Sequence, residues 1–328
     1  MARVAAGARL HFGFQNLSLA HQRLYGSLGV ALDSPAVEVV ADPAETVRCP
    51  HAEAREYAER AVELLDVPGA EVTVEETLPR HVGLGSGTQL ALTVLAAVAR
   101  THDRDPLVRE RAPKLGRGGR SGVGVATFES GGFVLDSGHP TERFTADRPA
   151  RGAWSVPAVA ASHEVPDHWR FVVVLPETEP GRSGDDEETS MRSVVKRADP
   201  QVADEIATVV TRRVLPAIAD GDAEEFGAAV AEVGRLNGAW YADEQGGVYR
   251  PPVGELVAEL SGSAAIAGAG QSSWGPAVYA VTTDERAGAA REAAHAALSV
   301  AGVDGDVLVS EPRNHGAEID AELPSTGE

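Results

Sequence analysis

The chain of 328 residues is poor in several things: one cysteine, two lysines, 5% aromatic residues and no long apolar run. A lone Cys49 permits no internal disulfide and no cysteine-built zinc site, which fits a reducing compartment. No segment approaches the roughly 18 apolar residues of a membrane helix, and Met1 to Arg9 lacks the apolar block of a secretion signal, so a cytoplasmic protein with no membrane partner is expected. Basic residues are also scarce, 29 against 49 acidic for a net charge of −20. That balance argues against a nucleic-acid partner, whose binding draws on a basic face to displace counterions. With arginine almost the sole cation and acidic crowding at Gly184-Asp185-Asp186-Glu187-Glu188, the surface reads as that of a halophile's cytosolic enzyme. A GC-rich genome, which favours arginine, alanine and glycine codons, gives a similar bias. In either case self-repelling carboxylates predict low stability at low ionic strength.

What is present is a substantial apolar fraction, 43%, spread along the length. A chain of 328 residues is also more than one core usually organises, which predicts two domains. Val37 to Val40 and Glu71 to Glu75 read as strands, the latter by strict alternation. Between them Ala54, Tyr57, Ala58, Ala61, Val62 and Leu65 recur at three and four, the spacing of an amphipathic helix. A glycine-rich loop then enters an apolar helix at Leu90 to Val98. Residues 140–168, with Pro140, Pro149, Pro157 and Pro166 and no clear period, mark the domain junction. Beyond it come a buried strand at Phe171 to Leu175, helices over 200–219, 222–238 and 252–261, strands at 264–267 and 277–282, a helix over 284–301 and a final strand at Asp306 to Val309. The predicted class is α+β, with an N-terminal domain over 1–150, a C-terminal domain over 151–316 and a frayed acidic tail over 317–328.

The most informative segment is Pro79-Arg80-His81-Val82-Gly83-Leu84-Gly85-Ser86-Gly87-Thr88-Gln89, between a strand and a helix. Its glycines allow consecutive backbone N–H groups and the helix N-terminus to face an anion. Neither lysine precedes Ser or Thr, so it is not a Walker loop. Thr88 stands where a dinucleotide fingerprint needs glycine, and Leu84 and Thr88 occupy the glycine positions of a nucleophile elbow. His163-Glu164 with His168 is one residue too long for a zinc helix and is interrupted by Pro166.

The segment resembles the second motif of the GHMP kinase superfamily, whose glycine loop wraps nucleotide phosphates. Two further signatures stand in order: Ala8 to Phe14 with Tyr25 to Leu32 at the first strand pair, and Ala267 to Pro276 at the third glycine-rich motif. The resemblance implies a two-domain GHMP-kinase-like fold, a mixed α/β N-terminal domain carrying the phosphate loop followed by a ferredoxin-like C-terminal domain. Function is a separate matter. Where many of the kinases carry a substrate-activating aspartate, this chain has Gly124 in Ser121-Gly122-Val123-Gly124-Val125, and the third motif carries Gln271-Ser272-Ser273-Trp274 instead of small glycines.

With Ala8 to Gly13, Gly83 to Gln89, Gly119 to His139 and Gly270 to Pro276, residues 8–282 resemble the β-ribofuranosylaminobenzene 5′-phosphate synthase family. Its members condense phosphoribosyl pyrophosphate with 4-aminobenzoate or 4-hydroxybenzoate to a C-riboside 5′-phosphate, releasing carbon dioxide and pyrophosphate on the methanopterin route. The resemblance implies magnesium accompanying the pyrophosphate; a homodimer is compatible with it, since the family often dimerises. Leaving-group charge calls for amides, metal and arginine. Gly83, Gly85, Ser86, Gly87 and Thr88 are the amide candidates, joined for phosphate by Arg120, Ser121 and Gly122, with Ser86 a magnesium ligand by superfamily analogy. Arg9, Arg117, Gln271, Ser272 and Ser273 are substrate-binding candidates; Arg9 and His11 alternate on a strand and fit a phosphate, the benzoate, or an ordinary polar rim. Asp136 and His139 follow a strand end as catalytic candidates, with His11 a third; Asp136 is also a candidate metal ligand and His139 a candidate acid, although Asp-Ser-Gly is equally turn chemistry. Trp274 suits either stacking on an aromatic ring or a core position. Two other readings stay open: an ATP-dependent small-molecule kinase, and a non-catalytic sensor of a phosphorylated metabolite.

Overall fold

The computed structural model describes residues 1–144, 150–178 and 184–321. The chain opens with two long strands, β1 (Ala2–Asn16) and β2 (Arg23–Pro43), paired antiparallel from Ala2↔Ala41 to Asn16↔Tyr25. Helix α1 (Ala52–Leu65), β3 (Ala70–Glu76), α2 (Ser86–Thr101), α3 (Val108–Arg111), α4 (Val123–Ser130), β4 (Phe133–Asp136), β5 (His139–Pro140) and β6 (Val159–His163) follow. The second half runs β7 (Trp169–Pro176), α5 (Gly184–Arg197), α6 (Pro200–Val209), α7 (Leu215–Asp220), α8 (Ala223–Gln245), α9 (Val253–Ser261), β8 (Gly268–Gln271), β9 (Val278–Thr283), α10 (Ala287–Ala301), β10 (Gly305–Ser310) and β11 (Glu318–Ala321).

A seven-stranded sheet has the order β11-β1-β2-β4-β6, with β3 and β5 also on β2. The second sheet, of four strands in the order β10-β7-β9-β8, is antiparallel throughout and has the ferredoxin-like arrangement expected. Strand β7 explains its unbroken apolar run: Phe171 and Val173 face the main core, Val172 and Val174 a second core with Leu256, Leu260 and Ala294. A strand buried on both faces has no polar side to alternate with. Among the described residues no helix is long and apolar enough to cross a membrane.

Three expectations need correction. The N-terminal domain does not end at residue 150, because β6 pairs with β4 from Phe133↔His163 to Asp136↔Val159. As an exposed edge strand, β6 has no buried alternation to announce it. The acidic tail does not fray at 317: β11 pairs with β1, Ile319 packs on the core, and Glu318 meets Arg313 at 3.4 Å. Residues 322–328 lie outside the described part. Finally, the strand expected at 264–267 begins at Gly268, and α5 was not foreseen from the acidic segment that opens it.

Candidate active site

The two glycine-rich motifs meet β1 at a three-way junction. Arg9 N–H donates to the Leu84 carbonyl at 3.1 Å, Ala277 N–H to the Val82 carbonyl at 2.9 Å, and Ser273 N–H to the His11 carbonyl at 3.1 Å. Ser272, wholly buried, clips all three: its hydroxyl donates to the Gly83 carbonyl at 2.8 Å and accepts the His11 N–H at 3.1 Å. The backbones approach so closely that a Cβ at Gly83 would lie 2.2 Å from the Ser272 carbonyl, and one at Gly275 would lie 2.0 Å from the Val82 carbonyl. Both motifs thus need glycine to pack on each other as well as to face a ligand.

Helix α2 begins at this junction without a side-chain cap, its N-cap Gly85 at φ 82°. Thr88 N–H is already bonded to the Gly85 carbonyl at 3.0 Å. Its amide therefore leaves the cradle, and the amides of Gly85, Ser86 and Gly87 are the ones that open the helix toward an anion. Arginines converge on them. Arg9 donates from Nη1 to the Gly83 carbonyl at 2.6 Å and lies against Gly85. The Arg117 guanidinium lies over Gly87, donates to the Tyr57 hydroxyl, stands 5.3 Å from that ring's centre, and has Glu53 at 3.9 Å.

These groups line a cavity of about 340 Å³. The sequence candidates in its wall are Arg9, His11, Gly83, Gly85, Ser86, Gly87, Thr88, Arg117, Arg120, Ser121, Ser273 and Trp274. Register shifts in the β1–β2 ladder on either side of Arg9-Leu10-His11 bend β1 where it presents two of these side chains. Sequence reasoning assigned no role to His81, within the glycine-rich segment, or to Arg151, Trp154 and Met191 from two other segments, all of which line the cavity. No local pattern distinguished them.

Other candidates are elsewhere. Asp136 is fully buried and outside the cavity wall; its carboxylate accepts the Ser27 hydroxyl, Gly122 N–H at 2.8 Å and Gly138 N–H at 2.9 Å. Burial pushes its carboxyl above the ordinary carboxylate range despite those bonds. It holds the loop rather than a metal, and through Ser27, whose hydroxyl meets that of Ser121 at 2.6 Å, it sets a cavity residue. Gly122, its amide committed to Asp136, does not face the cavity. His139 is also behind the wall, 2.6 Å from the Gly119 carbonyl and edge-on to Trp154 at 5.0 Å, its pKa lowered by burial. Ser272 is a clip rather than a contact, and Gln271 donates to the Ser273 carbonyl at 3.2 Å.

His11 is buried, 4% exposed, and Nδ1 has no hydrogen-bond partner among the described residues. Burial, reinforced by Arg9 and Arg120, lowers its pKa to about 3, so the imidazole is neutral at physiological pH. Gly124 sits against α2, where a Cβ would be 3.1 Å from Thr88 Cγ2, and its carbonyl accepts Gln89 Nε2 at 3.0 Å. The kinase aspartate position is thus a helix contact. No carboxylate among the described residues lines the cavity, and none of them form a group of three or more His, Cys, Asp or Glu fit for a metal. A magnesium cage made by the protein usually needs such carboxylates, so the described wall does not fit one.

The family profile described as GHMP kinases N terminal domain matches residues 52–132, and the profile described as GHMP kinases C terminal matches 214–300. The chain is 33% identical over 94% of its length to a beta-ribofuranosylphenol 5'-phosphate synthase of Methanothermobacter thermautotrophicus, covering 96% of that protein. It is 32% identical over 98% of its length to the Archaeoglobus fulgidus protein of the same name, covering all (100%) of it. In fold it is similar to the mevalonate kinase of Methanococcus jannaschii, with TM-score 0.66 and 13% identity over 95% of this chain and 98% of that one.

Proposed function

The chain belongs to the beta-ribofuranosylphenol 5'-phosphate synthase family, on the GHMP kinase fold, and from that premise we propose that its cavity condenses phosphoribosyl pyrophosphate with 4-hydroxybenzoate. The observation that carries this is the cavity wall: open amides at Gly85, Ser86 and Gly87 and four arginines, with no described carboxylate. The relatives' name, a ribosylated phenol, favours 4-hydroxybenzoate over 4-aminobenzoate as the acid.

The anomeric C–O bond breaks with its electron pair passing to pyrophosphate, whose growing charge meets the α2 amides with Arg9, Arg117, Arg120 and Arg151. The ring carbon bearing the carboxylate, made electron-rich by the para hydroxyl, forms the new C–C bond. Its bond to the carboxylate then breaks, carbon dioxide leaves, and the electron pair restores aromaticity. Atoms and charge balance without net proton transfer. A wall with no described carboxylate and a neutral His11 is therefore suited to the reaction. A kinase would instead need a base for its alcohol, and Gly124 supplies none.

Magnesium enters the proposal only as a companion of pyrophosphate, brought in with the substrate's phosphates. The test is release of pyrophosphate and carbon dioxide in concentrated KCl from phosphoribosyl pyrophosphate, magnesium and 4-hydroxybenzoate, beside 4-aminobenzoate and an ATP-only control. Equal release of both products supports the synthase. ADP release with an alcohol and no product from either acid overturns it.

A further inference from the structure

The main cavity adjoins a smaller one of about 40 Å³ across a shared wall of His11, Phe14, Ser273 and Trp274. Helix α8 supplies Gly234, Asn237 and Tyr241 to this annexe, and among the described residues none that lines it carries a carboxylate, ammonium or guanidinium group. Resting on the reaction above, we propose that the annexe is the subsite that receives the para substituent of the aromatic acid, with the ring held at the shared wall by Phe14 and Trp274.

Charge sorts the two substrates. The arginines and open amides of the main cavity suit the sugar diphosphate, whereas the uncharged annexe suits the end of the acid that carries no charge. Geometry sorts the acid's ends in the same way. The carboxylate-bearing carbon must face the anomeric carbon in the main cavity, so the para group points away, across the shared wall. By volume the annexe takes about three water-sized groups, enough for a hydroxyl and the adjoining ring edge and too little for a nucleobase.

Two polar groups on the shared wall have no partner among the described residues, His11 Nδ1 and Trp274 Nε1, and His11 is 4% exposed. Two neighbouring side-chain amides are already engaged. Asn237 accepts Phe14 N–H at 2.7 Å and donates to the Phe14 carbonyl at 2.9 Å, and Gln271 is bonded at both ends. The Trp274 ring is fixed edge-on to Tyr241 with centres 4.7 Å apart, which orients one face of the slot.

Gly234→Ala and Trp274→Phe test this in the full-length protein. A methyl at Gly234 meets only the Tyr279 hydroxyl at 3.6 Å and the Phe12 carbonyl at 3.9 Å, ordinary contact, inside a helix where alanine is favoured, so the variant should fold. The expected result is a KM for 4-hydroxybenzoate raised about tenfold or more, with the KM for phosphoribosyl pyrophosphate within about twofold of wild type. Binding of 4-hydroxybenzoate should quench tryptophan emission in wild type and much less in Trp274→Phe. Turnover with acid KM and quenching unchanged in both variants overturns the subsite and leaves the reaction standing. Saturable quenching that Trp274→Phe removes, with no pyrophosphate released, overturns the reaction and leaves the subsite standing. Equal rises in both KM values also overturn the subsite.

Discussion

Replacing Ser272 by alanine removes one hydroxyl and should loosen three segments together. The His11 N–H loses its acceptor at 3.1 Å in a wholly buried place, a desolvation cost of about 1–3 kcal/mol. The Gly83 carbonyl loses the donor at 2.8 Å but keeps Arg9 at 2.6 Å, so that loss is nearer about 1 kcal/mol. Together the variant should be destabilised by about 2–4 kcal/mol. With a urea dependence of about 3 kcal/mol/M for a chain this size, the midpoint should fall by roughly 1 M. Urea unfolding would be followed by both tryptophan fluorescence and circular dichroism, because two domains need not melt as one unit. The folded fraction should show a higher KM for phosphoribosyl pyrophosphate, since Gly83 leads directly into the cradle. A midpoint within about 0.2 M of wild type, with unchanged KM, would refute the idea that this hydroxyl ties the motifs together.

Further outcomes follow from the same geometry. Ser86→Ala and Arg120→Ala should each lower turnover tenfold or more while leaving the circular dichroism spectrum intact; wild-type rates in both would remove the cradle from the mechanism. Tyr57→Phe deprives the Arg117 guanidinium of its hydroxyl acceptor while keeping the ring beneath it, so the KM for the diphosphate should rise severalfold with kcat nearly constant, and a pure loss of kcat would contradict that role. The folded protein holds His11 neutral down to about 3, whereas the unfolded chain takes up its proton near 6.5. The unfolded state then binds more protons between those values, so stability is lost as pH falls, by about 2 kcal/mol between pH 6.5 and about 5 for this residue. His11→Gln should flatten that part of the curve in denaturation measured against pH. With a net charge of −20, the melting temperature should climb with KCl, and a flat response would show that carboxylate repulsion is not limiting.

Much of this was legible because it is local. The spacing of Ala54, Tyr57, Ala58, Ala61 and Leu65 gave α1, and these side chains are its buried face. The loop from Gly83 to Gly87 stood out because its glycines precede an apolar helix, although the structure shows that Gly83 also serves close packing on the Ser272 carbonyl. What sequence could not display lies in contacts between distant positions. Ser272 reaches Gly83 and His11, and Arg117 reaches Tyr57; no spacing rule links residues so far apart. Asp136 misled for a related reason: an aspartate at a strand end serves a site or a turn alike, and only its three buried hydrogen bonds decide between them. The edge strands β6 and β11 escaped because polar edges lack the alternation that reveals buried ones.

The pairing of Ala2 with Ala321 has a consequence for the order in which the molecule is made. Strand β1 is synthesised long before its outer neighbour β11, with both sheets' other strands made in between. Until then the strand that carries Arg9 and His11 has an open hydrogen-bonding edge, the kind that recruits stray strands from other nascent chains. A chain halted before β11 would thus retain every cavity residue and still be prone to aggregate.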